Sequence, residues 1–133
     1  LNVVLTVMYD GTRFHGFQRQ APEREPTVQG VLEAAACRVC GRPVTMVAAG
    51  RTDSGAHAAG QVVSFHSPGT MTPDIWLRAL NATLPPDVAV RGAGSAPETF
   101  SARYSALSRT YTYTILNDPL PAPLSERYAY RYG

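Results

Sequence analysis

Lysine is missing from this sequence: all 12 basic residues are arginine, against 10 Asp or Glu, which leaves a formal net charge of +2. So small an excess rules out a broad basic surface, and any nucleic-acid contact must be a local patch. Arginine's planar donor fork suits phosphates and bases, although codon bias in a GC-rich genome is the simpler explanation of the missing lysine. Two cysteines are too few for a disulfide framework. No apolar run approaches the ~18–20 residues of a membrane span, and no basic start leads into an apolar signal core. With 44% apolar and 17% charged residues in a chain of 133, one globular domain in the cytoplasm is the expectation.

Residues 1–9 (LNVVLTVMY) are rich in β-branched side chains and free of Gly and Pro, which predicts a buried strand. Asp10-Gly11-Thr12 is turn chemistry, and residues 14–25 have no clean period, which predicts a loop. Thr27 is a helix cap, and Val28, Val31, Leu32, Ala35 and Val39 recur at helical spacing as far as Cys40. Gly41 and Pro43 then supply stop signals. Strands are predicted over 44–48, 60–65 and 88–91, and a helix with proline in its first turn over 73–83. The order β-α-β-β-α-β predicts an α+β, ferredoxin-like domain, with both helices on one face of an antiparallel sheet. The alternation of TYTYTIL over 110–116 predicts a further strand on that sheet. Residues 1–117 are taken as the domain; 118–133, proline-rich and then aromatic, read as a linker and the first strand of something further.

The densest polar segment, residues 49–61, lies between two predicted strands and holds Arg51, Asp53, His57 and three glycines. Such glycine density points to unusual backbone conformations or a close approach by another molecule. If residues 51–53 are extended, Arg51 and Asp53 point to the same side. An ion pair between them would then keep Asp53 ionised, as a nucleophilic or basic carboxylate requires. Asp-Ser-Gly is good turn chemistry, and for the segment by itself an Asp capping its own turn beside a satisfied Arg is the simpler reading.

The pattern around it is more specific. Residues 9–20 (YDGTRFHGFQRQ) resemble the first motif of the tRNA pseudouridine synthase A family, and 27–33 (TVQGVLE) the helix entry that follows it. Residues 50–58 (GRTDSGAHA) are similar to the family's catalytic motif, with Ala56 where Val is usual. Residues 100–106 and 109–113 resemble its later motifs, in order and at similar spacing. The resemblance implies one half of the pseudouridine synthase fold and a cofactor-free isomerase that converts uridine to pseudouridine in the anticodon arm of tRNA. It further implies Asp53 as the catalytic carboxylate, Arg51 as its partner and Tyr111 as the ring that stacks on the target base. A second half supplying the other wall of the cleft, and a homodimeric full-length enzyme, are also implied.

The physics of base modification is consistent with those roles. Extruding a base costs a few kcal/mol, and an aromatic ring offers it a stacking surface worth ~1–3 kcal/mol. Arg13, Gln18, Arg103 and Arg109 lie in or beside the motifs and are expected, with Tyr111 and His57, to bind the substrate. Tyr111 also alternates with Tyr113 and Ile115, so core packing is the simpler reading of it taken alone. Cys37-x-x-Cys40 occurs once, on a predicted helix, and reads as two small core residues; no metal site is expected. A non-catalytic ferredoxin-like RNA-binding module is the alternative. Such modules carry aromatics on their central strands, whereas residues 3–9 are mostly aliphatic.

Overall fold

The computed structural model describes all 133 residues. Strand β1 (Asn2–Tyr9) is followed by α1 (Val28–Cys40), β2 (Val47–Ala48), β3 (Ala58–His66), α2 (Pro73–Thr83) and β4 (Val88–Ala96). The sheet runs β2-β3-β1-β4 with every pair antiparallel. This is the α+β, ferredoxin-like arrangement that the pattern predicts. Val3, Leu5 and Val7 of β1 stand on one face beside Val63 and Phe65 of β3. There they pack against Val28, Leu32, Trp76 and Leu80 of the helices.

The helix ends follow their sequence signals. The Thr27 hydroxyl accepts the Gly30 N–H at 3.2 Å, and Gly41 closes α1 in the left-handed region at φ 73°. Thr72 caps α2 in the same way. In the predicted 14–25 loop, residues 22–24 form a single 3₁₀ turn.

Three expectations are corrected. The strand predicted over 44–48 shrinks to two residues, because side chains of α1 replace ladder partners at Met46. The Glu33 carboxylate accepts the Met46 N–H at 2.8 Å, and Gln29 donates to the Met46 carbonyl at 3.1 Å. Strand β4 runs on to Ala96 instead of stopping at Arg91, with Gly92 and Gly94 lying beside Thr6 and Val4 past a bulge.

The alternating 110–116 segment does not join the sheet. Only Ile115–Asn117 (β5) pairs, in parallel, with Tyr130–Tyr132 (β6), and the two make a separate ribbon. Alternation reports a strand half-buried against something. Here nothing covers either face, and Tyr111 and Tyr113 remain 59% and 89% exposed. Tyr111 is therefore not a core residue.

The register places the site. Tyr9 pairs with Ala58, so the end of β1 meets the start of β3, and the chain leaving β1 lies against the chain entering β3. Leu5, fully buried on the central strand, is expected to cost about 2–5 kcal/mol on substitution by alanine, read as a lower urea midpoint. Met8→Ala, on the open face of the same strand, should change stability by no more than about 0.5 kcal/mol.

Candidate active site

Two loops meet at this junction through their backbones. Phe17 N–H donates to the Thr52 carbonyl at 3.1 Å, and Gly55 N–H to the Phe14 carbonyl at 3.2 Å. The Ser54 hydroxyl donates to that same Phe14 carbonyl. Such approach requires glycine. A Cβ on Gly11 would overlap the Ala56 carbonyl, and one on Gly16, at φ +80°, would lie 2.8 Å from the Thr52 carbonyl.

The 11–17 loop is itself held by α1, whose first N–H groups need partners outside the helix. Val28 and Gln29 donate to the carbonyls of Gly16 and Phe17 at 3.2 and 2.8 Å. Beneath the second loop, the Tyr9 hydroxyl lies 2.7 Å from Thr52 Oγ1 and Gln61 donates to the Gly50 carbonyl at 2.8 Å. Burial raises the Tyr9 phenol above its ordinary pKa, and the bond to Thr52 opposes the shift.

An open groove of about 360 Å³ runs beside this loop. Arg51, Tyr111, Arg103, Arg109 and Gln18 line it, over a floor that includes Phe17, Gln29 and Met46. Four stretches of sequence, 17–18, 29, 46–51 and 103–111, thus converge on it. Arg109 organises the far wall: its Nε donates to the Ala49 carbonyl and a terminal nitrogen to the Arg103 carbonyl at 3.3 Å. Gly50 makes room for this crossing, since a Cβ there would lie 3.2 Å from the Tyr111 hydroxyl.

The other expected site residues lie elsewhere. Asp53 sits on the exposed loop tip, outside the groove lining. The expected Arg51–Asp53 ion pair is not formed, and neither residue takes part in any ion pair of the molecule. Arg51 lines the groove while Asp53 stays at the loop tip, where its carbonyl accepts the Ala56 N–H and opens a turn. Arg13 faces away, bonding Asp87 through two nitrogens at 2.6 and 3.1 Å. His57 lies on the opposite side of the loop, where Nδ1 accepts the Gly11 N–H at 2.9 Å. Cys40 packs against the core, while Cys37 lines a separate surface cleft. No group of His, Cys, Asp and Glu is arranged to hold a metal ion, and no helix is long and apolar enough to cross a membrane.

Sequence reasoning missed Gln29, Glu33 and Gln61, which bond backbone groups and carry no motif-independent signal. It also missed Asp10 as a charged centre. The Thr12 hydroxyl and N–H, then Tyr128 and Arg127, hold the Asp10 carboxyl well below the usual carboxylate range.

A family model described as tRNA pseudouridine synthase matches residues 5–105. Over 119 residues the chain is 48% identical to a protein of Thermosynechococcus vestitus named tRNA pseudouridine synthase A, covering 90% of this chain and 41% of that one. Proteins of the same name from Synechocystis and Caldicellulosiruptor bescii are 42% and 40% identical over 131 residues, 98% of this chain and 47% and 53% of theirs. The chain spans about half the length of the curated relatives it matches.

Gly16 and Gly55 both have positive φ, but only at Gly16 would a Cβ strike the opposing loop; one on Gly55 would meet open space. Alanine at Gly55 should therefore cost only the backbone term of roughly 1–2 kcal/mol. Gly16→Ala should lower the melting temperature further, because its Cβ pushes the loops apart. Equal shifts for the two variants would contradict this docking.

Proposed function

The chain belongs to the tRNA pseudouridine synthase family, and on that premise we propose that its groove and its 49–57 loop hold and isomerise an extruded uridine of the tRNA anticodon arm. The observation that carries this reading is the convergence of Arg51, Arg103, Arg109, Gln18 and Tyr111 on one open groove beside the loop that bears Asp53. The guanidinium groups suit the phosphates flanking a flipped nucleotide, and the Tyr111 ring offers its base a stacking face. Asp53 is the reacting carboxylate. Exposed and without a cation partner here, it is open to an incoming nucleotide, and Arg51 two residues away faces the same substrate.

In the reaction the bond from ribose C1′ to N1 breaks, the base turns, and C1′ bonds to C5. The proton lost from C5 balances the one gained at N1, so the step needs no redox cofactor. In this reading residues 1–117 form the catalytic half, and 118–133 lead toward a second half that would wall the cleft. The working enzyme is a cytoplasmic homodimer of the longer chain. Substrate contact by Arg13 and His57 is not part of the reading, since both are engaged away from the groove. The non-catalytic alternative finds no support in the open sheet face, where Val4, Thr6, Met8 and Val62 present no aromatic ring.

The test is a chimera in which this chain replaces the matched residues of the Thermosynechococcus protein. Asp53→Asn should lower pseudouridine formation in unmodified tRNA at least about hundredfold, the scale of a lost proton-transfer or nucleophilic group, with tRNA affinity within a few fold. Substantial turnover by that variant would sink the assignment. Tyr111→Ala should impair turnover more than Tyr111→Phe, because phenylalanine keeps the ring; equal damage would place the function in the hydroxyl. The 133-residue chain alone should convert uridine far more slowly than the chimera, since a nucleotide gripped from one side loses its orientation.

A further inference from the structure

The strongly acidic Asp10 has no part in the chemistry proposed above, yet it is the most heavily contacted carboxylate near the site. Its backbone is fixed where β1 ends, with Asp10 N–H donating to the Asp87 carbonyl at 2.9 Å. One carboxylate oxygen accepts from the Thr12 N–H at 3.0 Å and from the Thr12 hydroxyl, and lies 3.3 Å from His57 Nδ1. The other accepts the Tyr128 hydroxyl at 2.9 Å and stands 3.6 Å from Arg127 Nε. The Asp10 side chain is 25% exposed and that of His57 30%.

His57 completes the cluster. Because its Nδ1 accepts from Gly11, the proton of the neutral ring belongs on Nε2, which faces the Arg127 carbonyl at 3.3 Å. Its ring lies 5.0 Å from that of Tyr128. Arg127 in turn donates to the Thr12 hydroxyl oxygen at 3.3 Å.

The pattern of connections gives this cluster its meaning. Every hydrogen bond from residues 112–133 to the rest of the chain passes through Arg127 or Tyr128, and each ends on Asp10, Thr12 or His57. The remaining polar contacts of that segment are internal, as between Tyr130 and Thr114 or Arg131 and Asp118. Large apolar side chains along it, among them Leu120, Leu124 and Tyr130, stay exposed and bring no competing attachment. The segment just before it, at Arg109 and Tyr111, crosses over Ala49 and Gly50. The chain from 109 to 128 therefore touches the Asp53 loop at both of its ends.

We infer that Asp10 is a positioning residue, whose carboxylate docks the 125–132 segment onto His57 and so fixes the loop that carries Asp53. With Tyr128 seated, His57 is held from Gly11 on one side and from Arg127 on the other, and the turn from Asp53 to Ala56 has a fixed far end. With Tyr128 released, His57 keeps its contacts with Gly11 and Asp10 but loses the one that closes over its Nε2 side. The consequence for turnover rests on the reading of Asp53 as the reacting carboxylate; the docking itself stands on the contacts alone.

The test is residue-resolved amide hydrogen exchange on the 133-residue chain, comparing the parent with Tyr128→Phe and Asp10→Asn. Phenylalanine keeps the ring on His57 and removes one hydroxyl. Asparagine keeps an acceptor for Thr12 and removes the charge facing Arg127. In both variants the amides of Gly55, Ala56 and Tyr130 should exchange about tenfold faster, the scale of one bond to a charged group. The β1–β3 ladder amides should be unchanged. Faster exchange at Tyr130 with Gly55 and Ala56 unmoved would overturn the inference, and so would uniform acceleration, which signals only lost global stability.

A tyrosine absorbance titration gives an independent signature. The bond to Asp10 raises the Tyr128 phenol above its ordinary range, so Asp10→Asn should bring one phenol down in pH; an unchanged titration would overturn the contact. Neither readout uses turnover, so a failure here and a failure of the catalytic assignment are separately visible.

Discussion

Everything at the site depends on one backbone-to-backbone contact, the seating of the 11–17 loop on residues 52–56. Loops rarely dock so closely, because side chains stand between them and unpaired carbonyls must find donors. Here Gly11 and Gly16 remove the obstruction, and the N-terminal amides of α1 take up the carbonyls of Gly16 and Phe17. The free end of a helix thereby stiffens a loop, and that loop stiffens the one bearing Asp53. The antiparallel pairing of β1 with β3 makes the encounter unavoidable, since it sets Tyr9 against Ala58.

On that foundation the groove is assembled by side chains reaching across from other segments. Gln29 and Glu33 substitute for a strand partner at Met46 and shorten β2, and Gln29 and Met46 become floor. Arg109 stitches the 103–111 segment to Ala49, and Gly50 leaves space for Tyr111. A chain with a net charge of only +2 thus places three of its 12 arginines on one small concavity. Local placement, not overall charge, makes this surface suited to an anionic polymer.

The parts of the fold governed by short-range rules were legible in the sequence. Thr27, Gly41, Thr72 and Pro73 marked helix ends because caps act within one turn, and the core of α1 followed from its period. What failed was whatever depends on partners distant in sequence. Alternation over 110–116 promised a strand on the sheet, but alternation cannot say whether a surface exists to receive it. The strand predicted over 88–91 runs on through Gly92 and Gly94, which lie in β4 beside β1. The motif residues marked the right loops without fixing geometry. Arg51, Tyr111, Arg103, Arg109 and Gln18 do share a groove, whereas Asp53 lies outside its lining without an ion-pair partner, and Arg13 and His57 are engaged by Asp87 and Gly11. No rule of spacing brings Asp10 to Tyr128, 118 positions away.

In the proposed function, the groove beside the docked loops, and not the open face of the sheet, receives the RNA. The most direct measurement is a titration of a uridine-containing anticodon stem-loop into the ¹⁵N-labelled chain, followed by amide and arginine side-chain shifts. Shifts should concentrate at Gly50 to Asp53, Arg103, Arg109 and Tyr111. Shifts confined to Val4, Thr6, Met8 and Val62, or none at any RNA concentration, would contradict the account.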